Sequence, residues 1–589
     1  MEGQSLVAAT IKLSAFTGEQ PRIIPRLMPE SAAQSAVNTR LDDGALTPMR
    51  KSAFIATAGA KTWKTIYHFL GQWIGWTTVV NAAPGPVADD RLYFTGSGKP
   101  KVLIAGTTYD LAVPLPAAAL TATLSGTGAG DIVSRNYVYT WVTSFGEESE
   151  PNPISNTVDW KPGNSVILSG FVAAPAGRSI TLQRIYRSQT GQSGTYLYLI
   201  DERAASASNY TDVIAVNAFQ EPLPSANYNA PPDDLTGLIS LPNGMMAAFS
   251  GRKLYFSEPY RPHAWPEKYI LTTDSDIVGL GAMDTSIVVM TEGWPQMVQG
   301  SSPDTMQMAK LEQNFPCINA RGIVDLGYAI AFPSNEGMAV VRADGSISVP
   351  TANIFNRDDW LALSPATMIG SQISGRCALF YQTTAVNGTI LTGALLLDLS
   401  GQSFLIRTDT KATAAYFEIA TGGLFFLEAD TTNIRRLDAP NAARLSQYWK
   451  SKQFVLPYPE NFSCIIVDSN EVTSDQDQGN LDAAIAAIIA ANKILIAAGS
   501  IKAEINARPL NTLPINGSIL ARLPAPISGV VSVGVYADGK LIFSVTRVNQ
   551  PVRLPGGFRA RTWEIDVFGD VQVQQIVMAK TMDDLKVTA

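Results

Sequence analysis

Histidine, the side chain most often used in acid–base catalysis, occurs at only two positions in this 589-residue chain, His68 and His263. His68 lies in an aromatic stretch typical of a β-strand, and His263 stands between Pro262 and Ala264. Both contexts are more typical of packing residues than of a catalytic base. We therefore do not expect histidine-based catalysis.

Two pairs of acidic residues have a spacing that glycoside hydrolysis could use, because such enzymes place paired carboxylates around the scissile bond. The pairs are Asp274 with Asp276 and Asp358 with Asp359. Acidic residues near turns are also common on any solvated surface. The pairs alone do not indicate a reaction, and the sequence predicts no catalytic residue and no enzyme activity.

The three cysteines, Cys317, Cys377 and Cys464, are far apart and have neither metal-ligand spacing nor a disulfide pattern. We expect them to be small buried hydrophobic residues. The acidic run 475–480 lacks the distal glutamate of a calcium loop, and it is better explained as a helix N-terminus with capping acids. The sequence predicts no cofactor and no metal.

Hydrophobic residues make up 46% of the chain, charged residues only 16%, and the net charge is −7. Low surface charge is typical of proteins whose surface is covered by partners. An acidic chain is not a general nucleic-acid binder, although DNA can pass along an acidic surface without being held. The apolar run 483–498 is interrupted by Asn492 and Lys493, and it falls short of the ~20 residues of a membrane span. The N-terminus has no basic region and no long apolar region, so no secretory signal is expected.

The elements that position these residues are short strands. Arg252–Pro266 begins with the alternating, aromatic-rich segment Lys253–Ser257, and the apolar run Met245–Phe249 precedes it across a glycine turn. The same unit occurs earlier, at Arg91–Gly96. Hairpins of this kind recur without helices between them, which is the pattern of a repeated antiparallel sheet.

These repeats predict a mainly β fold, a β-propeller built from antiparallel hairpin blades, because a closed ring of blades protects the sheet edges. A string of sandwich domains is the alternative. One module differs: Tyr137–Ser149, Arg184–Ser188 and Tyr210–Asp212 resemble parts of a fibronectin type III domain, with a polar turn predicted at 146–151. The predicted segments are an extended N-terminal arm (1–60), a first propeller segment (61–114), the inserted fibronectin III-like β-sandwich (115–224), a second propeller segment (225–445) and a C-terminal β region (446–589) with a helical insertion (472–510).

Prolines keep most of the N-terminal arm extended, and a short helix is predicted at Glu30–Arg40. An arm without self-contained structure lies either on another subunit or on its own domain, and both interpretations stay open.

The helical insertion carries an Ala/Ile-rich helix that ends near Ala498. Five of its residues follow alternating spacings of four and three, the pattern of a packing seam: Leu481, Ile485, Ile488, Asn492 and Leu495. We expect this helix to pack on a neighbouring subunit or to protrude, and the alternative is a helix laid over its own blade.

Three stretches taken together resemble the tail nozzle proteins of short-tailed bacteriophages, also called tail tubular protein B. They are Pro25–Pro48, the hairpin Arg252–Pro266, and Trp449–Lys452 combined with Leu554–Ile565. The likeness covers most of the chain outside the inserted modules. It depends mainly on the order in which the three stretches follow one another along one chain.

The resemblance implies a structural virion protein located in the phage tail. It implies a ring of about six subunits, a homohexamer, that extends the tail tube below a head–tail adaptor ring, with tail fibres or spikes at its side. During genome ejection DNA leaves through the channel without sequence-specific binding, so the channel wall should be acidic or neutral. Two other functions stay open: a receptor-binding tail protein or adhesin, and a propeller-type polysaccharide-degrading enzyme.

Overall fold

The structure, a computed structural model, describes residues 10–191, 194–384, 388–401, 403–470, 475–497, 529 and 531–588. The predicted β-propeller makes up most of it. In the described residues, six four-stranded antiparallel blades and one two-stranded hairpin follow one another around a ring. The first strand of each blade lies beside the first strand of the next, so these first strands surround the central axis.

The ring contains strands from both sides of the inserted module. In ring order, the hairpin is Thr65–Phe69 and Gln72–Trp76; blade 1 is Asn81–Pro84, Arg91–Thr95, Lys101–Ile104 and Thr107–Asp110; blade 2 is Thr236–Ser240, Met246–Ser250, Lys253–Phe256 and Leu271–Thr272; and blade 3 is Ile277–Met283, Ser286–Thr291, Gln296–Gln299 and Gln307–Lys310.

The remaining blades complete the ring. Blade 4 is Val324–Asp325, Ala329–Ser334, Gly337–Arg342 and Ile347–Ser348; blade 5 is Ile369–Ile373, Arg376–Thr384, Ile390–Asp398 and Phe404–Thr408; and blade 6 is Ala412–Glu418, Gly423–Glu428, Asn433–Arg436 and Ala53–Thr57. The outer strand of blade 6 therefore comes from the N-terminal segment. This joins the two ends of the propeller sequence and closes the ring.

Neighbouring blades bury both faces of their sheets against each other. All six residues of Ala329–Ser334 are buried, for example, so this strand is a continuous apolar run and not an alternating one. The hairpin fills the position between blades 6 and 1: the Trp73 ring contacts Tyr416, and Trp76 contacts Phe94. The predicted hairpin in blade 2 is confirmed, with Ser250 paired to Lys253 across a turn in which Gly251 has φ 55°.

The inserted module, between blades 1 and 2, is a β-sandwich with its own core, in which Tyr137, Tyr139, Trp141 and Trp160 are buried. Its strands are Thr121–Ser125, Ser165–Ser169 and Tyr210–Asp212 in one sheet, Tyr137–Thr143, Ile180–Gly191 and Gly194–Ala204 in another, and the pair Val133–Arg135 with Val158–Trp160.

A second sandwich is built from both ends of the chain. One sheet holds Ala33–Val37, Gln447–Ser451, Phe454–Glu460, Val531–Ala537, Lys540–Val545 and Ala560–Gly569; the other holds Ile11–Leu13, Cys464–Asp468, Val552–Arg553 and Gln575–Ala579. Trp449 and Trp563 are fully buried between them. The first of these sheets continues into blade 5, because Val37 pairs in parallel with Arg407, so one sheet runs from propeller to sandwich.

The prediction of a helix at Glu30–Arg40 is wrong, because this segment forms strands at Ala33–Val37 and Thr39–Arg40. The physical reason is pairing: Ala33 and Ala36 are buried opposite Gln447–Ser451, and this tertiary contact outweighs the weak local preference. The N-terminal segment thus lies on its own C-terminal sandwich. Thr39–Arg40 pairs with Thr47–Pro48.

Helices are few in the described residues. The α-helices are Arg357–Ala362, Asp475–Ala497 and Met582–Thr588, and the short 3-10 turns are Pro25–Leu27, Glu267–Tyr269, Pro303–Thr305, Ala320–Gly322, Pro350–Asn353 and Pro365–Thr367. Asp475–Ala497 is the predicted Ala/Ile helix. It is inserted between two strands of the C-terminal sandwich, Cys464–Asp468 and Val531–Ala537.

Candidate functional site

Both histidines occupy joints within the fold. His68 Nδ1 lies 2.6 Å from Oε1 of Glu418, which ties the hairpin to blade 6, and its ring stacks on Trp73 within the hairpin. His263 is 4% exposed, and its Nε2 lies 3.2 Å from the backbone oxygen of Glu148. Burial, reinforced by the charge of Arg178, lowers the pKa of His263 to about 3. This ring is therefore neutral at pH 7 and holds two domains together.

The two acid pairs are not brought together as a catalytic dyad. Asp274 pairs with Lys310 at 2.5 Å, and Asp276 pairs with Arg252 at 3.3 Å, with all four side chains largely exposed. Asp358 and Asp359 occupy the first turn of Arg357–Ala362, where acids favour the helix N-terminus. Each pair therefore has an ordinary surface role.

The predicted polar turn at 146–151 has an exposed glycine, Gly146, but its first two acidic residues are buried. Glu147 and Glu148 are 5% and 3% exposed. Oε2 of Glu147 lies 2.7 Å from Nη2 of Arg178, and Oε1 lies 3.8 Å from Arg91 of blade 1. A buried carboxylate needs such partners because its desolvation is costly. The sequence showed the acids, but their cationic partners come from other segments.

Glu148 is surrounded by donors. Its Oε1 accepts hydrogen bonds from Tyr186 at 2.7 Å and Thr140 at 2.8 Å, and its Oε2 accepts one from Arg184 at 2.8 Å. Burial and the charge of Glu148 raise the pKa of Tyr186, so the phenol keeps its proton. These bonds hold Glu148 in place within the module, and the His263 contact with its backbone oxygen joins the module to blade 2. We call Glu147, Glu148, Arg178, Arg184 and His263 the junction cluster.

A second buried ionic group lies inside the module. Asp212 is 1% exposed and receives hydrogen bonds from Arg187 at 3.0 Å, Arg135 at 3.4 Å and Tyr137 at 2.8 Å. The Arg135 guanidinium also lies 3.6 Å from the ring centroid of Trp160. The module is thereby tied internally as well as to the propeller.

The stretches that carry the family resemblance all contact segments that are far away in the sequence. Ala33–Val37, from the first stretch, pairs with Gln447–Ser451, which pairs in turn with Ala560–Gly569 from the third. The second stretch supplies His263 to the junction cluster. It also buries Trp265, whose Nε1 donates to the Pro262 carbonyl at 2.7 Å. Sequence order alone did not indicate that the first and third stretches would meet.

The predicted seam lies on the helix Asp475–Ala497. Ile485, Ile488 and Asn492 are partly exposed, whereas the side chains of Leu481 and Leu495 lie outside the described residues. Ile489 and Ile494, off the seam, are 55% and 69% exposed. No strand or helix packs extensively along this helix in the described portion of the chain. The seam stays a prediction.

The cysteines are buried and unpaired with one another, as expected. Burial raises the pKa of Cys317 to about 12, which keeps it an inert thiol. No group of three or more His, Cys, Asp or Glu side chains among the described residues could hold a metal ion. Within the same residues, no helix combines the length and the apolar character needed to cross a membrane.

Comparisons with known proteins add little to this description. No protein-family profile and no curated protein matches the chain. Among solved structures, the WD40 domain of Neurospora crassa Pan2 is similar over 62% of this chain and 90% of that one, with 9% identity and a TM-score of 0.27. The N-terminal domain of Nup159 is similar over 43% and 86%, with 8% identity and a TM-score of 0.21. Such low scores carry no functional argument, and the propeller is defined by its own sheets.

Proposed function

We propose that this chain is a structural virion protein, a tail nozzle subunit that forms a ring of about six, extends the tail tube and surrounds the channel for DNA exit. The observation that carries the proposal is the placement of the three family-like stretches. The first stretch joins blade 5 to the terminal sandwich, where it lies in the same sheet as the third, and the second stretch joins blade 2 to the inserted module. None of them surrounds a concave pair of carboxylates. This distribution fits a building block better than an enzyme.

Stiffness supports the same function. One sheet of ten strands continues from blade 5 into the terminal sandwich, and the junction cluster fixes the inserted module. A channel wall must keep its shape while DNA passes, and backbone pairing between domains resists bending better than a flexible linker.

Ring assembly also needs an exposed contact surface. Ile24, Leu27, Val455 and Tyr458 are 49%, 68%, 47% and 76% exposed. They lie on neighbouring segments, because the backbone N–H of Gln453 donates to the Pro25 carbonyl at 3.1 Å. We call these four residues the arm patch. Exposed apolar side chains gathered in one place commonly mark protein contacts, and in this proposal they bury against the next subunit.

Cryo-electron microscopy of the concentrated protein tests the proposal. Closed rings with an axial channel are the expected result. Monomers or trimers that bind bacterial surface glycans would contradict it and favour the receptor-binding alternative. Release of reducing sugars from capsular polysaccharide would favour the enzyme alternative.

A further inference from the structure

A cavity of about 870 Å³ opens on one face of the propeller, near blades 5 and 6. Its lining includes residues that directly precede first strands: Lys64 before the hairpin, Lys411 before blade 6, and Arg321 shortly before blade 4. Because the first strands run in the same direction around the axis, these loops meet at the same face of the propeller. The volume lies in the range of ligand-binding pockets.

The lining has a surplus of positive charge. Lys61, Lys64, Lys411 and Arg321 face a single acidic residue, Asp430, among the described lining residues. The three lysines are exposed, and none forms an ion pair within the described portion of the chain. Such a cluster is unexpected in a chain of net charge −7, where acids are available to pair with it.

Arg321 fixes the shape of the cavity without losing its charge. Its Nη2 donates to the backbone oxygens of Lys64 at 2.8 Å and Thr413 at 2.6 Å, which joins the loops of blade 4, blade 6 and the hairpin. Both acceptors are neutral carbonyls, so the guanidinium charge remains uncompensated. The cationic wall is therefore held in place before any ligand arrives.

The cavity is also partly apolar. Trp63 and Tyr381 are half-buried in its lining, Phe380 is buried, and Ile390 at the rim is 61% exposed. A mixture of lysines with aromatic and aliphatic side chains suits a ligand that carries both carboxylates and apolar groups.

We infer that this cavity binds an acidic segment of a partner polypeptide, with Lys61, Lys64 and Lys411 pairing with its carboxylates and with Trp63 and Ile390 contacting an apolar side chain. A nucleic acid fits less well. The Nη2 group of Arg321, which would otherwise bind a phosphate, already donates to two backbone carbonyls. The inference does not depend on ring formation.

Fluorescence anisotropy with the full-length protein tests the inference. The probe is a fluorescein-labelled decapeptide of Glu and Asp residues with two Phe residues, measured at 50 mM and 300 mM salt. We expect saturable binding that weakens as salt rises. The variant combining Lys61→Gln, Lys64→Gln and Lys411→Gln should bind at least tenfold more weakly.

A matched variant controls for total charge. It combines Lys51→Gln, Lys253→Gln and Lys540→Gln, which remove three exposed lysines outside the cavity, and its affinity should stay within twofold of the original. The inference is overturned if the acidic decapeptide binds no better than a glutamine-substituted one, if both triple variants lose affinity equally, or if a dT-containing decanucleotide binds in its place.

Discussion

Glu19 and Arg407 are 388 positions apart in the chain, yet Nε of Arg407 donates to Oε2 of Glu19 at 2.7 Å. Glu19 is 3% exposed, and its Oε1 accepts the backbone N–H of Ala36 at 2.9 Å. Its own N–H donates to the Leu405 carbonyl at 2.8 Å. Glu19 therefore joins blade 5 to Ala33–Val37, the strand through which the sheet continues into the terminal sandwich.

Glu19→Ala should lower the free energy of unfolding by about 2–3 kcal/mol, because it leaves Arg407 and the Ala36 N–H without their acceptor. This figure is below that of a fully buried pair, since solvent partly screens Arg407. Chemical denaturation monitored by tryptophan fluorescence measures the change. Glu336→Gln, which removes an exposed pair with Arg357, is the control and should have no measurable effect. Equal effects of the two substitutions would contradict the proposed role of Glu19 in joining blade 5 to the sandwich.

His263 should make the junction sensitive to acid. Its pKa is about 3 in the folded protein and 6.5 in the unfolded chain. Between these values the unfolded state binds the extra proton, so stability is full above pH 6.5 and falls as pH falls towards 3, by at most about 1.4 kcal/mol per pH unit. His263→Gln, which keeps a donor for the Glu148 carbonyl, should remove this component. Denaturation of both proteins at pH 7, 6, 5 and 4 measures the difference in slope, and parallel slopes would refute the assignment.

The fragment 115–224 should fold alone, because its core and the Asp212 group are internal. Heating should give one cooperative transition in circular dichroism. Asp212→Asn in the fragment leaves two buried guanidinium groups without their counter-charge, and we expect a loss of roughly 3 kcal/mol. A fragment without a transition would show that the module depends on the propeller.

The arm patch should control assembly. Leu27→Asp places a charge in a proposed subunit contact, so sedimentation should shift from rings to monomers with the thermal unfolding midpoint unchanged. Ile419→Asp is a matched control on the propeller, at a side chain that is 86% exposed, and it should leave the ring intact. Rings that persist in Leu27→Asp would exclude this patch as the contact.

Deleting 476–507 and bridging the gap with a short Gly/Ser linker should leave the subunit folded while weakening the ring. The helix Asp475–Ala497 is an insertion between two sandwich strands, so the propeller does not need it. Asn492→Leu should strengthen self-association but loosen its geometry, because a polar seam residue fixes register at a cost in stability. A deletion variant that no longer folds would place the helix in the core of the subunit.

Local patterns in the sequence determined the elements. Alternating apolar residues and glycine turns predicted the hairpins, such as Met246–Ser250 with Lys253–Phe256. A propeller was favoured because a closed ring of blades protects the edges of its sheets. The Ala/Ile run gave the helix. These features depend on neighbours within a few residues, so the sequence displays them directly.

Tertiary structure decided where distant segments meet. Ala33–Val37 forms a strand because Gln447–Ser451 lies beside it, and Ala53–Thr57 completes blade 6 from the other side of the propeller sequence. Glu147 and Glu148 are buried because Arg178 and Arg184, more than 30 residues away, supply the opposite charge. Pairing and charge compensation of this kind depend on spatial proximity. No local pattern encodes that proximity, so the joints of this protein emerged only from its fold.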